Sequence, residues 1–332
     1  MTPYANAFNE EANGNSWDPD DRSDFSSPWL WERKYELDSL CYPIQLAWLL
    51  HTNTGRVSQF DSVFVAAVGR ILDTLEAELD HANNSSYFLI RNTTLSTERI
   101  GDDGKGSPVA VTGMVWQGFR SSDDACVYHY VIPANMFAVV AMDYLERIFS
   151  QILDNPTIAA RARALRESID RGIREYGVIN NRAGERIFAY EVDGLGHSLL
   201  MDDGNGPSLL AAPYLGYCKA DDPVYAATRR TLLSTENPYY YEGRYSKGIG
   251  SPHTPPRYVW PIALSRQGLT SASQEEKAEL LDNMVSIDAG THLMHEGIDV
   301  DDPAQFTRPW FSWSNMMFCE LVMDYFGIRI KQ

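Results

Sequence analysis

Twelve residues, Gly113 to Asp124, read GMVWQGFRSSDD and bring Trp116, Phe119, Arg120 and the pair Asp123–Asp124 into one glycine-broken stretch. Gly118 and the Ser121–Ser122 pair suit a loop, and loops held on a rigid scaffold are where reacting groups usually sit. Adjacent carboxylates raise each other's proton affinity, and a neighbouring guanidinium lowers it. Such a pair can keep one acid protonated beside an ionised partner, the division of labour that glycoside hydrolysis needs. The plainer reading is an Asp–Asp helix cap or a solvated turn.

The same texture recurs along the chain. NAFNEEANG (with Asn9 and Glu10), WERKYELDS, MDDGNGPS (with Asp202 and Asp203), NPYYYEG, GIGSPHTPPRYVWP (with His253) and HEGIDVDDPAQFTRPWFSW (with Glu296, Arg308 and Trp310) all carry charge, and all but MDDGNGPS add aromatic rings. A structural loop needs Gly, Pro and Asp, and has no use for Trp, Tyr, Arg and Glu as well. Rings stack on the C–H faces of sugars, while carboxylates and guanidinium groups bind hydroxyls. Seven such loops point to a large, open, uncharged polyhydroxy ligand.

Other chemistries fit less well. A net charge of −17 argues against nucleic acid or an anionic membrane surface as partner. No apolar run approaches the roughly 18 residues of a membrane span. His292 and His295 beside Glu296 lack the two-histidine helical spacing of a zinc protease, so a satisfied histidine on a helix face is the preferred reading there. Asp299, Asp301 and Asp302 lack the glycine and closing glutamate of a calcium loop. Gly248–Ser251 lacks the lysine of a phosphate loop, and no Gly-x-Ser-x-Gly elbow occurs. Carboxylate chemistry without metal or cofactor remains.

These loops need elements to position them. With 332 residues, 44% of them hydrophobic, the chain can bury a large core, and one domain spanning 1–332 is favoured over two tight ones. Nine helices are expected: one carrying Leu37 to Leu49, then 58–80, 133–153, 157–175, one started by Pro207, and about 223–236, 257–268, 273–290 and 311–327. Pro43 is expected to kink the first or to mark its first turn. Helix 157–175 is polar enough for an outer layer, whereas 133–153 is apolar. Residues 85–118 read as short strands or long loops. The alternation of inner and outer helices predicts an all-α toroid of helical hairpins with short β-strands in its loops. The four cysteines lie far apart in apolar sequence and are expected to be buried free thiols. Asn83, Asn84 and Asn92 open N-x-Ser/Thr sequons that matter only in a secreted or lumenal protein, which leaves the compartment open.

PYANAFNEEANG, WERKYELDSLCYPIQLAWLL, GFRSSDDA, YVIPANMFAVVAM, SLLMDDGNGPSLLAAPYLGY, KGIGSPHTP, YVWPIAL and MHEGIDVDDPAQFTRPWFSWSN together resemble glycoside hydrolase family 125, over essentially the whole chain. The resemblance implies an (α/α)6 barrel and an inverting exo-α-1,6-mannosidase that removes terminal mannose from glycans without metal or cofactor. It places the general acid on Asp123 or Asp124, with Asp123 the first choice, and the general base on Glu296. It implies substrate contacts from Trp116, Arg120, His253, Arg308, Trp310, Asn9, Glu10, Asp202 and Asp203, with Trp116, Arg120, His253, Arg308 and Trp310 lining one cleft with the two catalytic carboxyls. The family's preceding segment, with its Trp-Leu-Arg-Asp-Ser motif, has no counterpart here. The toroid is therefore expected to be incomplete at its N-terminal hairpin, and a catalytically impaired mannose-binding remnant stays open as the second reading.

Overall fold

The computed structural model describes residues 2–330. The fold is mostly helical, with small antiparallel sheets of two or three short strands. Two compact units divide the chain. One comprises the chain up to Gly177 together with Glu191–Leu199, and the other Val178–Tyr190 with Leu200–Ile330.

The first unit contains α1 (Leu37–Thr54), α2 (Ser62–Glu78), the single turns α3 (His81–Asn84) and α4 (Gly101–Gly104), α5 (Ile132–Arg147) and α6 (Pro156–Tyr176). α5 is buried on nearly every side, from Ile132 through Leu145, and continues through a π-type turn at Ile148–Ile152. Its hairpin partner α6 buries only the stripe Ala159, Ala162, Leu165, Ile169, Gly172 and Ile173. That spacing is helical, and it leaves the charged face to solvent. The inner and outer characters read from sequence hold for this pair. Asn155 accepts from the Ile158 amide (3.2 Å) and Pro156 follows it, so α6 starts where its first-turn donors find a partner. Gly172 is required by close approach: a Cβ there would stand 2.6 Å from the Thr112 carbonyl oxygen. Pro43 lies inside α1 rather than at its first turn. Residues 85–118 are mostly irregular, as expected of loops.

The second unit contains α7 (Ala212–Leu215), α8 (Pro223–Leu232), α9 (Pro261–Leu269), α10 (Gln274–Ser286) and α11 (Ser312–Tyr325). Its core gathers Leu264, Leu280, Met284, Ile287, Met294, Ile298 and Leu321. Asp222 caps α8 through the Val224 and Tyr225 amides, and Ser273 caps α10 through the Glu276 amide. Three strands, Tyr258–Val259, Gly297–Asp299 and Phe306–Thr307, form one antiparallel sheet in that order.

Eight of the nine expected helices form, within a few residues of their expected ends. The helix expected from Pro207 shrinks to the single turn α7; ahead of it the Leu209 and Leu210 amides donate to the Asp202 carboxyl (2.9 and 3.0 Å). The histidine pair is also corrected. α10 ends at Ser286, so His292 and His295 lie in a loop, the first exposed and the second buried flat against Phe306. Cys41 and Cys126 are buried free thiols, whereas Cys218 is half-buried and Cys319 exposed.

Candidate active site

The Asp–Asp loop is built from the core outward. Trp116 is fully buried, with His81 3.6 Å from it on one ring face and His129 stacked at 4.8 Å. His129 accepts the Ser107 amide at Nε2 (3.0 Å), so its Nδ1 carries the proton and donates to the Gln117 carbonyl (3.0 Å). Burial lowers the His129 pKa to about 4, which keeps that neutral tautomer. Trp116 therefore cannot act as a sugar platform; it is the post on which the loop stands.

Arg120 is sequestered too. Its Nε donates to Glu191 Oε1 (2.5 Å), while Glu191 Oε2 accepts from the Val127 and Tyr128 amides (2.7 and 2.8 Å). Both side chains are buried, so Arg120 is a brace rather than a hydroxyl ligand. The backbone is pinned as closely. Gly118 and Phe119 amides share the Tyr35 carbonyl, Arg120 donates to the Asp124 carbonyl (2.8 Å), and Ala125 donates to the Thr97 carbonyl (2.7 Å). Asp123 takes a left-handed backbone, φ 76°, at the tip. Its side chain is 32% exposed, whereas Asp124 is buried. Of the two carboxyls, Asp123 is the one presented outward.

Asp123 Oδ1 lies 2.9 Å from Lys34 Nζ, whose side chain is 3% exposed. The same ammonium reaches Glu32 Oε1 at 3.1 Å and Glu98 Oε2 at 3.8 Å. Glu98 is also held by Arg91, which pairs in turn with Asp18 and Asp21. Burial works against the charge on Lys34, but Asp123 and Glu32 outweigh it and hold its pKa above the ordinary lysine value. Nearby Glu36 shows the opposite balance: burial first, then Asp38 and Asp123, push its carboxyl well above the usual range. Asn6 donates to both Glu32 (3.0 Å) and Glu36 (3.1 Å). None of these partners was singled out in the sequence. WERKYELDS contains Glu32, Lys34 and Glu36, and its density of charge was the available signal; Glu191 offered none.

In the second unit, Glu296 is nearly buried, and Arg308 Nε lies 3.0 Å from its Oε1. Strand pairing sets both residues: the Glu296 amide donates to the Thr307 carbonyl (3.2 Å), and Gly297 pairs with Thr307. Arg308 turns back with φ 46°, its guanidinium 5.6 Å from the Phe311 ring centre. A Cβ on Gly297 would meet Thr307 Oγ1, Trp260 Nε1 and Thr254 Cγ2 at 3.3 to 3.4 Å. The loop of half-buried His253 thus runs beside the Glu296 strand. Trp310 is 64% exposed and free to stack.

The remaining expected contacts divide. Glu10 is exposed, and Asn9 spends its amide on the Asn15 and Pro28 carbonyls (2.8 and 3.2 Å), a staple within its own loop. Asp202 is fully buried under the two amides it caps, which removes it from contact with a sugar. Asp203 is buried, with Oδ1 accepting from the Asn205 amide (3.3 Å).

The sequence profile of the metal-independent alpha-mannosidases of glycoside hydrolase family 125 matches residues 1–323. The chain belongs to this family. A family 125 structure from Streptococcus pneumoniae, described as a metal-independent alpha mannosidase in a non-productive substrate complex with alpha-1,6-mannobiose, is 54% identical, with a TM-score of 0.97 over 98% of this chain and 77% of that one. The meiotically up-regulated gene 157 protein of Schizosaccharomyces pombe is 40% identical over 338 residues. That alignment takes in 97% of this chain, which spans 66% of the yeast protein's length. A bacterial glucoamylase solved with acarbose shares the fold at 12% identity, with a TM-score of 0.61 over 91% of this chain and 42% of that one. The helical architecture is therefore glucoamylase-like. Among the described residues, no helix is long and apolar enough to cross a membrane.

Proposed function

We propose that the chain is an inverting exo-α-1,6-mannosidase that removes terminal mannose from a mannose-containing glycan by general acid/base catalysis. The observation that carries this reading is the α-1,6-mannobiose complex of the 54%-identical streptococcal chain. The unlike surroundings of the two carboxyls support it. Asp123, outward on a braced tip, gives its proton to the glycosidic oxygen as the bond to the anomeric carbon breaks. Glu296, with Oε1 engaged by Arg308, uses Oε2 to take a proton from the attacking water. Inversion is a single displacement in which that water attacks the anomeric carbon directly. Asp124 is buried and is the weaker candidate for the acid. Arg308, Trp310 and His253 are read as substrate contacts, Arg308 orienting the base as well. The hairpins are read as part of an (α/α)6 toroid, supported by the glucoamylase likeness.

Hydrolysis of α-1,6-, α-1,3- and α-1,2-linked mannobiose, with Glu296→Gln as control, tests the reading. The α-1,6 linkage is expected to be cleaved preferentially. Glu296→Gln is expected to lose turnover on the order of 10²–10⁴-fold while calorimetry still registers mannobiose binding. Equal cleavage of the three linkages, or turnover surviving in Glu296→Gln, overturns it.

A further inference from the structure

We infer that Lys34 is a positioning residue for the general acid: its ammonium occupies Oδ1 of Asp123, so that the transferable proton is carried on Oδ2. The inference rests on the reading of Asp123 as the acid. A lysine ammonium has three donors and no acceptor, so the carboxyl oxygen it faces can only accept, and a proton on that oxygen has no partner there. Lys34 is fixed to do this. It is almost wholly buried, with Glu32 Oε1 at 3.1 Å and Glu98 Oε2 at 3.8 Å holding the ammonium from other directions, and the Phe119 ring centre at 5.9 Å. Glu98 is itself tethered by Arg91, so the cradle is stiff.

The charge arrangement suits a group that must hold a proton and then release it. An isolated cation beside an acid would oppose protonation, but here the ammonium is shared among three carboxylates. When the proton moves from Asp123 Oδ2 to the glycosidic oxygen, the C–O bonding pair goes with the leaving sugar, and the negative charge left on Asp123 already faces the ammonium. No reorganisation is needed at that moment.

Leaving-group dependence separates this role from a merely structural one. A leaving group such as 2,4-dinitrophenolate departs without protonation, whereas the alkoxide of a sugar does not. Lys34→Gln is expected to lose roughly 10–100-fold in kcat on α-1,6-mannobiose, at most the lower end of what general acid catalysis contributes because the acid itself remains, and less than about threefold on 2,4-dinitrophenyl α-mannoside, with KM little changed on either. Asp123→Asn in the same series tests the underlying reading: a selective loss on mannobiose supports Asp123 as the acid, and equal loss on both substrates removes it. With Asp123 supported, equal loss on both substrates in a folded Lys34→Gln protein overturns the inference about Lys34. Glu32→Gln, which frees one anchor of the ammonium, covers the case in which Lys34→Gln does not fold. It is expected to show the same selectivity at a several-fold level, and an unselective loss there overturns the inference equally.

Discussion

Asp202 offers a sharp test of how burial shapes this molecule. Its carboxyl is fully buried and accepts from the Leu209 and Leu210 amides. Burial raises its pKa from 3.8 to about 7, with Asp203 adding to the rise and the two amides opposing it. The unfolded chain releases this proton near pH 4. The folded state therefore binds the proton more tightly; the stabilisation is complete below the unfolded pKa and is lost as pH rises through 7. Between pH 5 and pH 8 the loss spans about two pKa units, or about 3 kcal/mol. Asp202→Asn cannot titrate, and its amide oxygen can serve only one acceptor role well. The variant should be about 1 kcal/mol less stable than wild type at pH 5, and should overtake it by about 2 kcal/mol at pH 8. Urea unfolding followed by tryptophan fluorescence at half-unit pH steps measures the difference, and subtracting the two curves cancels the titrating groups that do not interact with Asp202. Parallel curves across this window would refute the reasoning.

The side chains aimed at the sugar by sequence should separate by what their loss disturbs. Trp116→Ala should cost about 3–5 kcal/mol of stability because it empties a fully packed aromatic stack, and Arg120→Met a similar about 3–5 kcal/mol because it leaves Glu191 buried without its partner. Trp310→Ala should leave stability within about 0.5 kcal/mol and raise KM roughly three- to tenfold through lost stacking; urea unfolding and steady-state kinetics on α-1,6-mannobiose read both, and a Trp116→Ala protein of native stability would undo the assignment.

The fold was legible where periodicity was strong. α5 and α6 announce themselves as inner and outer partners because one is apolar all round and the other along a single stripe. The helix expected from Pro207 is a single turn, and the hydrogen bonds of the Leu209 and Leu210 amides to Asp202 ahead of it leave no mark in the hydrophobic pattern. In the site, residue types were legible and their orientations were not. Trp116 and Arg120 sit in the expected loop, yet point into the core, because His81, His129 and Glu191 meet them from elsewhere in the chain. Lys34 escaped notice for the converse reason. WERKYELDS shows a dense run of charge but not which charges meet; in the fold Asp123, Glu32 and Glu98 enclose the Lys34 ammonium.

Acid catalysis by Asp123 and base catalysis by Glu296 in a single displacement are tested by the anomer first released. Proton NMR recorded during hydrolysis of α-1,6-mannobiose, before mutarotation mixes the products, resolves the two anomeric signals. β-Mannose is expected first, because a single displacement inverts the α linkage. Initial release of α-mannose would require a covalent intermediate and would contradict it.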